Sequence, residues 1–189
     1  VLIGNSGVNL LRGGDGNDAL LALKGDDFVY GEGGDDYLVG HEGNDTMYGG
    51  LGDDVLDGDS SAGSGNDILY GNEGNDFIIG LLGNDTIYGG SDATGSGGAG
   101  DTGDQWLAGY EGDDLIHGGA GNDRIDGGVG NDTLNGGDDA DFITGGNNND
   151  IIHGDAGNDA WLGGGDADDY IEGGLGNDRI DGGAGGDSI

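Results

Sequence analysis

Glycine recurs along this sequence at intervals of nine residues, and this period limits the possible folds more than any other feature. The clearest copies are GGAGNDRID at residues 118–126, GGVGNDTLN at 127–135 and GGLGNDRID at 173–181. They define the consensus G-G-x-G-[N/D]-D-x-U-x, in which U is apolar and positions are counted from the first glycine. The longest stretch without glycine is residues 17–24. Since each interior glycine costs a helix about 1 kcal/mol relative to alanine, a helical fold is excluded.

The units stay in phase over most of the chain. We count nineteen units, the last one incomplete, with an unbroken register over residues 4–57, 71–88 and 109–162. Longer units cover residues 58–70, 89–108 and 163–172, the last with one extra residue. Position eight is apolar in every unit, from Leu11 through Trp161 to Ile189, and these residues are predicted to form the core. Loops are expected to protrude near residues 59–64 and 91–102.

Each unit reads as a turn followed by a short strand. The first six residues supply glycine where unusual backbone angles are needed, and the last three alternate as a strand does. At position four, Asp139 and Asn148 replace glycine and are residue types that tolerate a positive φ, while Ala167 is a third exception. Since one strand buries one side chain, successive coils must stack on each other, which predicts an all-β solenoid.

These units resemble the glycine-rich nonapeptides of the RTX (repeats-in-toxin) family, and well over a dozen copies in phase cover nearly the whole chain. The resemblance implies a parallel β-roll with 18 residues per coil. Odd and even units would then form two sheets of short strands, with calcium in the turns. We expect a single roll over residues 1–189.

Position six is aspartate in seventeen units, the exceptions being Asn9 and Gln105. If units two apart stack, these aspartates form two columns with a spacing of about 4.8 Å. The candidate metal ligands of the first column are Asp27, Asp45, Asp67, Asp85, Asp114, Asp132, Asp150, Asp169 and Asp187. Those of the second column are Asp18, Asp36, Asp54, Asp76, Asp123, Asp141, Asp159 and Asp178.

Stacked carboxylates require a cation. Neighbours at this spacing repel by about 1 kcal/mol in water and by about 3 to 4 kcal/mol at an effective dielectric near 20. Ca²⁺ accepts six or more oxygen ligands in flexible geometry, whereas zinc prefers the cysteine and paired histidine ligands that this sequence lacks. The net charge is −35, and roughly fifteen calcium ions, one per stacked pair, would nearly offset it. The metal-free chain is therefore expected to be largely disordered.

Composition also bears on the function class. The strongly negative charge disfavours nucleic acid and anionic membrane as partners. Because the chain has no cysteine, a secreted protein of this kind needs a stabilising cross-link other than a disulfide, and a metal ion is the candidate. No nucleophile with a base beside it is recognisable, so we expect no enzyme. Ice or polysaccharide binding is a minor alternative, and position three, which reads Asp15, Lys24, Gly33, Glu42 and Leu51, carries no hydroxyl array that would suit ice.

Two functions remain open. The first is a secreted or cell-surface structural module, part of a surface layer, adhesin or fibre, that self-associates through open solenoid ends or an outer aromatic strip. That strip is predicted at position nine of the odd units, from Tyr30, Tyr48, Tyr70 and Tyr88 to His117. The second, which the resemblance implies, is a calcium-triggered folding and type I secretion module of a larger toxin, protease or lipase. The sequence begins in an imperfect unit and stops in mid-unit, which fits either reading.

Overall fold

The structure is a computed structural model that describes residues 1–59, 64–90 and 103–189. Most of the two predicted loops, 59–64 and 91–102, lies outside these residues. The described residues form nineteen strands and no helix, so none of their segments could cross a membrane as a helix. The strands are β1 (Leu2–Ile3), β2 (Leu10–Asp15), β3 (Ala19–Lys24), β4 (Phe28–Gly33), β5 (Tyr37–Glu42), β6 (Thr46–Leu51), β7 (Val55–Asp57), β8 (Ile68–Glu73), β9 (Phe77–Leu82), β10 (Thr86–Tyr88), β11 (Trp106–Glu111), β12 (Leu115–Ala120), β13 (Arg124–Val129), β14 (Thr133–Asp138), β15 (Phe142–Asn147), β16 (Ile151–Ala156), β17 (Trp161–Asp166), β18 (Tyr170–Glu172) and β19 (Ile180–Ala184).

The strands alternate between two parallel sheets. Sheet one contains the ten odd-numbered strands in chain order, and sheet two contains the nine even-numbered strands. Every strand therefore pairs with the strand two places along the chain, and Val29 lies beside Met47 in the same way that Leu38 lies beside Leu56. Both pairs are 18 residues apart in sequence. The predicted parallel β-roll, with two units per coil, is confirmed.

Most strands are longer than the predicted three residues. β4 (Phe28–Gly33), for example, spans positions seven to nine of one unit and positions one to three of the next, and it pairs with β6 at both ends. Position two lies within the strand but often has a positive φ, even where it is not glycine, as in Leu81 (φ 81°) and Tyr110 (φ 82°). The local bend at this residue lets a six-residue strand continue into the tight turn.

Position four has the left-handed backbone that was predicted from its residue types. Asp139 and Asn148 both have a φ of 78°, and Ala167 has a φ of 88°. Alanine lacks the side-chain oxygen that helps aspartate and asparagine in this conformation, so Ala167 is the most strained of the three. The turn geometry is therefore kept even where the consensus glycine is missing.

The core consists of position-eight side chains from both sheets, with Ala22 from position one as an addition. It runs from Leu11 to Ile171, and almost every member is fully buried. Leu2 and Ile180 are only partly buried, and Ile189, which was predicted to belong to the core, is exposed. With about one apolar side chain per unit, the core is too thin to stabilise a coil without its neighbours.

The predicted register is wrong at one point. Ile143 pairs with Leu162 and Phe142 pairs with Trp161, so Leu162 is the buried core residue and Trp161 lies on the outer face. The extra residue is therefore Ala160, between the turn and β17 (Trp161–Asp166), and not a residue of the unit that begins at 163. Sequence alone allowed either placement because Trp161 and Leu162 are both apolar.

Two adjacent isoleucines test this core. Ile152 is fully buried and Ile151 is 43% exposed on the outer face of the same strand. We expect Ile152→Ala to lower the free energy of unfolding by about 2 to 5 kcal/mol, because it leaves a cavity in a one-residue-wide core. Ile151→Ala, the matched control, should cost about 0.5 kcal/mol. Denaturant titration of the folded chain measures both, and equal losses would contradict the assigned faces.

Candidate functional site

The position-six aspartates form the two predicted columns along the turns. In fourteen stacked pairs, the backbone N–H of one aspartate donates to Oδ1 of the aspartate one coil further on, at 2.7–3.1 Å. Asp27, Asp45 and Asp67 show the pattern in the first column. All seventeen predicted residues lie in these columns. Fourteen are buried, while Asp18, Asp178 and Asp187 are half-buried.

The other carboxylate oxygen explains the glycine at position one. A Cβ at Gly40 would overlap Oδ2 of Asp45, and a Cβ at Gly127 would overlap Oδ2 of Asp132. Neither glycine has a positive φ. In these units position one is glycine because the folded-back carboxylate and the backbone carbonyl of the next coil occupy the space of a side chain, and not because of its backbone angle.

Burial makes these carboxylates hard to ionise without a counter-ion. Loss of solvent raises the pKa of Asp67 and Asp141 to about 8, and that of Asp45, Asp54, Asp114 and Asp150 to about 7. The backbone hydrogen bonds to each carboxylate lower the pKa, and the charges of neighbouring aspartates raise it further. Desolvation is the largest cause in every case.

Basic side chains do not supply the counter-charge. The chain has four, Arg12, Lys24, Arg124 and Arg179. Arg12 pairs with Glu32 and Lys24 with Glu42, both on the surface, and the other two arginines lie over aromatic rings. The one ion pair to a column residue within the described ranges joins the amino terminus to Asp18, at 3.7 Å. The columns therefore need charge from outside the chain.

Two sets of oxygen atoms in the turns have no hydrogen-bond donor. The first is Oδ2 of the buried column aspartates Asp27, Asp36, Asp45, Asp54, Asp67, Asp85, Asp114, Asp132, Asp141, Asp150, Asp159 and Asp169. The second is the backbone carbonyl of position four, which accepts no hydrogen bond in most described units. Buried carboxylate oxygens without donors cost several kcal/mol in total, and a hard cation can satisfy both these atoms and the carbonyls.

The columns are not clusters of three or more acidic side chains around one point. Within the described ranges, no group of three histidine or acidic residues is arranged as a metal centre. A cation in these turns would therefore combine carboxylate oxygens with main-chain carbonyls, and such a mixed oxygen set suits Ca²⁺. Magnesium, which needs a tight octahedron and keeps its waters, fits this arrangement less well.

A second side-chain ladder runs along position five, for which the repeat pattern predicted no role. The backbone N–H of Asn44 donates to Oδ1 of Asp26, and that of Asn66 donates to Oδ1 of Asn44. These bonds point to the previous coil, whereas those of position six point to the next coil. The recurring [N/D]-D dipeptide therefore links a turn to both of its neighbours. The regular recurrence of this dipeptide is the feature of the sequence from which the second ladder could have been predicted.

Asp59 is a further buried carboxylate, and it belongs to no consensus position for acid. It is fully buried, and its Oδ2 accepts the backbone N–H of Gly65 at 3.1 Å. Its charge raises the pKa of Asp45 and Asp67, so it lies close to the first column. The four-residue insertion that follows it hid this role in the sequence.

The predicted tyrosine strip is present on the outer face of sheet two. Tyr30, Tyr48, Tyr70 and Tyr88 stack face to face with ring centroids 4.7–4.9 Å apart, and His117 stacks on Tyr88 at 5.1 Å. Parallel pairing places these residues directly beside each other, which fixes the stack. Burial lowers the pKa of His117, so the ring that ends the stack favours its neutral form.

Sheet one also carries a side-chain ladder on its outer face. Its position-seven residues Phe77, Trp106, Arg124, Phe142, Trp161 and Arg179 form successive ring–ring and arginine–ring contacts. The guanidinium of Arg124 lies 5.4 Å from Trp106 and 4.8 Å from Phe142, between the two rings. Arginine thus continues the ladder between the aromatic residues by cation–π contact.

Comparison with known proteins agrees with this geometry. A family model described as "RTX calcium-binding nonapeptide repeat (4 copies)" matches residues 3–38, 30–62, 61–94, 99–134, 126–160 and 161–189. The matches together cover nearly the whole chain. A search of curated proteins found no match.

The raised pKa values predict an unusual response to acid. A carboxyl whose folded pKa of about 7 or 8 exceeds its ordinary value of 3.8 binds more protons when folded, as for Asp67 and Asp141. The metal-free chain should therefore gain structure as the pH falls from about 8 to about 5. Circular dichroism of demetallised protein measures this, and Asp67→Asn with Asp141→Asn should weaken the effect. Equal ellipticity at both pH values would contradict it.

Proposed function

Because the chain belongs to the RTX calcium-binding nonapeptide repeat family, we propose that its position-six aspartates hold calcium ions in two rows along the turns. The observation that carries this proposal is the recurrence of buried Oδ2 atoms without a donor, beside backbone carbonyls that also lack one. Calcium would satisfy both kinds of oxygen and neutralise the carboxylates. The ligands are the seventeen aspartates of the two columns together with turn carbonyls.

The charge balance supports the same proposal. One ion for each of the fourteen hydrogen-bonded aspartate pairs would contribute about +28 against the net charge of −35. This is one pair fewer than the sequence suggested, because Asp76 and Asp123 are not neighbours: Gln105 lies between them in the column. Ion binding would thus convert strong self-repulsion into attraction between coils.

We propose that the function is structural and extracellular: a secreted roll over residues 1–189, without catalysis, that folds when it meets calcium. Calcium is scarce inside cells and plentiful outside, and sites of extracellular modules need affinities of only about 0.1 to 1 mM. A surface layer, adhesin or fibre would use such a stiff module as a building element. The alternative of a folding and secretion module for a larger toxin, protease or lipase shares the same calcium chemistry.

A calcium titration tests the metal sites. We expect little strand signal by circular dichroism in EDTA and a cooperative gain of strand as calcium rises through the millimolar range. Asp132→Ala should raise the calcium midpoint severalfold, because it removes a buried ligand from the first column. Asp138→Ala removes the same charge from an exposed site and serves as the control. A wild-type chain that stays fully folded after exhaustive EDTA dialysis would reject the proposal.

We also propose that the tyrosine strip mediates contact between copies of the chain. The strip is flanked on sheet two by Phe28 and Ile68, which are 46% and 39% exposed, so apolar side chains are exposed beside the tyrosine rings. Flat apolar sheet faces pack on each other in sandwich fashion, and large exposed patches mark interaction surfaces. Two chains of charge −35 repel each other, so calcium must bind before they can associate.

Electron microscopy and light scattering test the association. In calcium we expect regular filaments or larger particles. Ile68→Glu should disperse them, because it places a charge directly beside the tyrosine strip. Val129→Glu adds the same charge at an exposed apolar site away from the strip and should leave them intact. Dispersed rods of about 45 Å in wild-type samples, nine coils at the strand spacing, would favour the secretion module instead.

A further inference from the structure

Two units have an amide where the aspartate columns require a carboxylate. Asn9 starts the first column and Gln105 lies within the second. Gln105 is 2% exposed. Its side-chain Oε1 accepts the backbone N–H of Asp76 at 2.6 Å, and its backbone N–H donates to Oδ1 of Asp123 at 2.8 Å. The backbone ladder of the column therefore passes through Gln105 without a break.

The amide group adds a donor that the aspartates lack. Nε2 of Gln105 donates to the carbonyl oxygen of Gly74 at 2.9 Å, which is position four of the adjacent coil. In the first unit, Nδ2 of Asn9 donates to the carbonyl oxygen of Gly7, also position four, and to Oδ1 of Asp27 at 2.8 Å. Leaving Gly103 aside, these are the two position-four carbonyls in the described ranges that accept a hydrogen bond.

The hydrogen-bonding capacity of the amide explains why the position-four carbonyl accepts a hydrogen bond in the turns that contain Asn9 and Gln105. A carboxylate and a carbonyl are both acceptors, so they can share a turn only if a cation satisfies them together. A neutral amide presents two N–H donors and an acceptor on one planar group, so it can continue the ladder and satisfy the carbonyl without any ion. The carbonyl is satisfied from within the chain just where the carboxylate is missing.

We infer that Asn9 and Gln105 are built-in substitutes for calcium, and that Gln105 divides the second row of ions in two; this inference rests on the proposed calcium function. The row from Asp18 to Asp76 and the row from Asp123 to Asp178 would then bind calcium separately, while the first column runs unbroken from Asp27 to Asp187. The turn at Gln105 stays linked to its neighbours when calcium is scarce, because its hydrogen bonds need no ion.

An isosteric pair of variants tests this inference. Gln105→Asp and Gln105→Asn have the same shape and differ in charge. After equilibrium dialysis against calcium chloride, Gln105→Asp should hold about two more calcium ions per chain than the wild type, one for each new pair with Asp76 and Asp123. Gln105→Asn should hold the wild-type number. Atomic emission spectroscopy gives the count, and circular dichroism in EDTA should show less structure for Gln105→Asp than for Gln105→Asn.

The converse variant covers the case in which Gln105→Asp does not fold. Asp141→Gln places the same amide elsewhere in the second column and should lower the count by about two ions while calcium still folds the chain. Equal counts for wild type, Gln105→Asp and Asp141→Gln would overturn the inference and leave the calcium function standing. A wild-type chain that binds no calcium would instead refute the proposed function.

Discussion

Buried carboxylates stacked one coil apart are the constraint on which the rest of this structure depends. Each carboxylate accepts a backbone N–H from the neighbouring coil through one oxygen, while the other oxygen is buried over the glycine of position one. This arrangement links the coils, but it collects negative charge where solvent cannot screen it, so pKa values rise to about 7 or 8, as at Asp45 and Asp141. Ionised carboxylates therefore destabilise the folded state until positive charge enters the turns.

The consensus of the repeat follows from this constraint. Position one is glycine because the carboxylate and the backbone of the next coil occupy the space of a side chain, position four adopts left-handed backbone in most described units, and position five carries a second ladder to the previous coil. The apolar core within the described residues comes almost entirely from position eight, which supplies about one side chain per unit. A roll with so thin a core depends on its turns for stability, and the proposed calcium sites would couple its folding to the ion supply.

The outer faces of the two sheets are stabilised by different interactions from those in the turns. Parallel in-register pairing repeats one position directly above the next, so a recurring residue type becomes a continuous ladder, as in the tyrosine strip of sheet two and the aromatic–arginine ladder of sheet one. The ladders stabilise the stack through ring contacts and also leave apolar area exposed. A module with satisfied turns and an apolar face suits assembly, which is why the structural role is the function we favour.

The sequence by itself determined the period, the roll, the two aspartate columns and the tyrosine strip, because a strict repeat places equal positions in register whatever the details of packing. The tertiary structure decided what depends on contacts between coils. It moved the core position from Trp161 to Leu162, since two adjacent apolar residues cannot be told apart until their strand pairs with its neighbour. It also brought Asp59 beside the first column and the amide of Gln105 onto a carbonyl that lies 31 residues earlier, and no local pattern encodes such distant encounters.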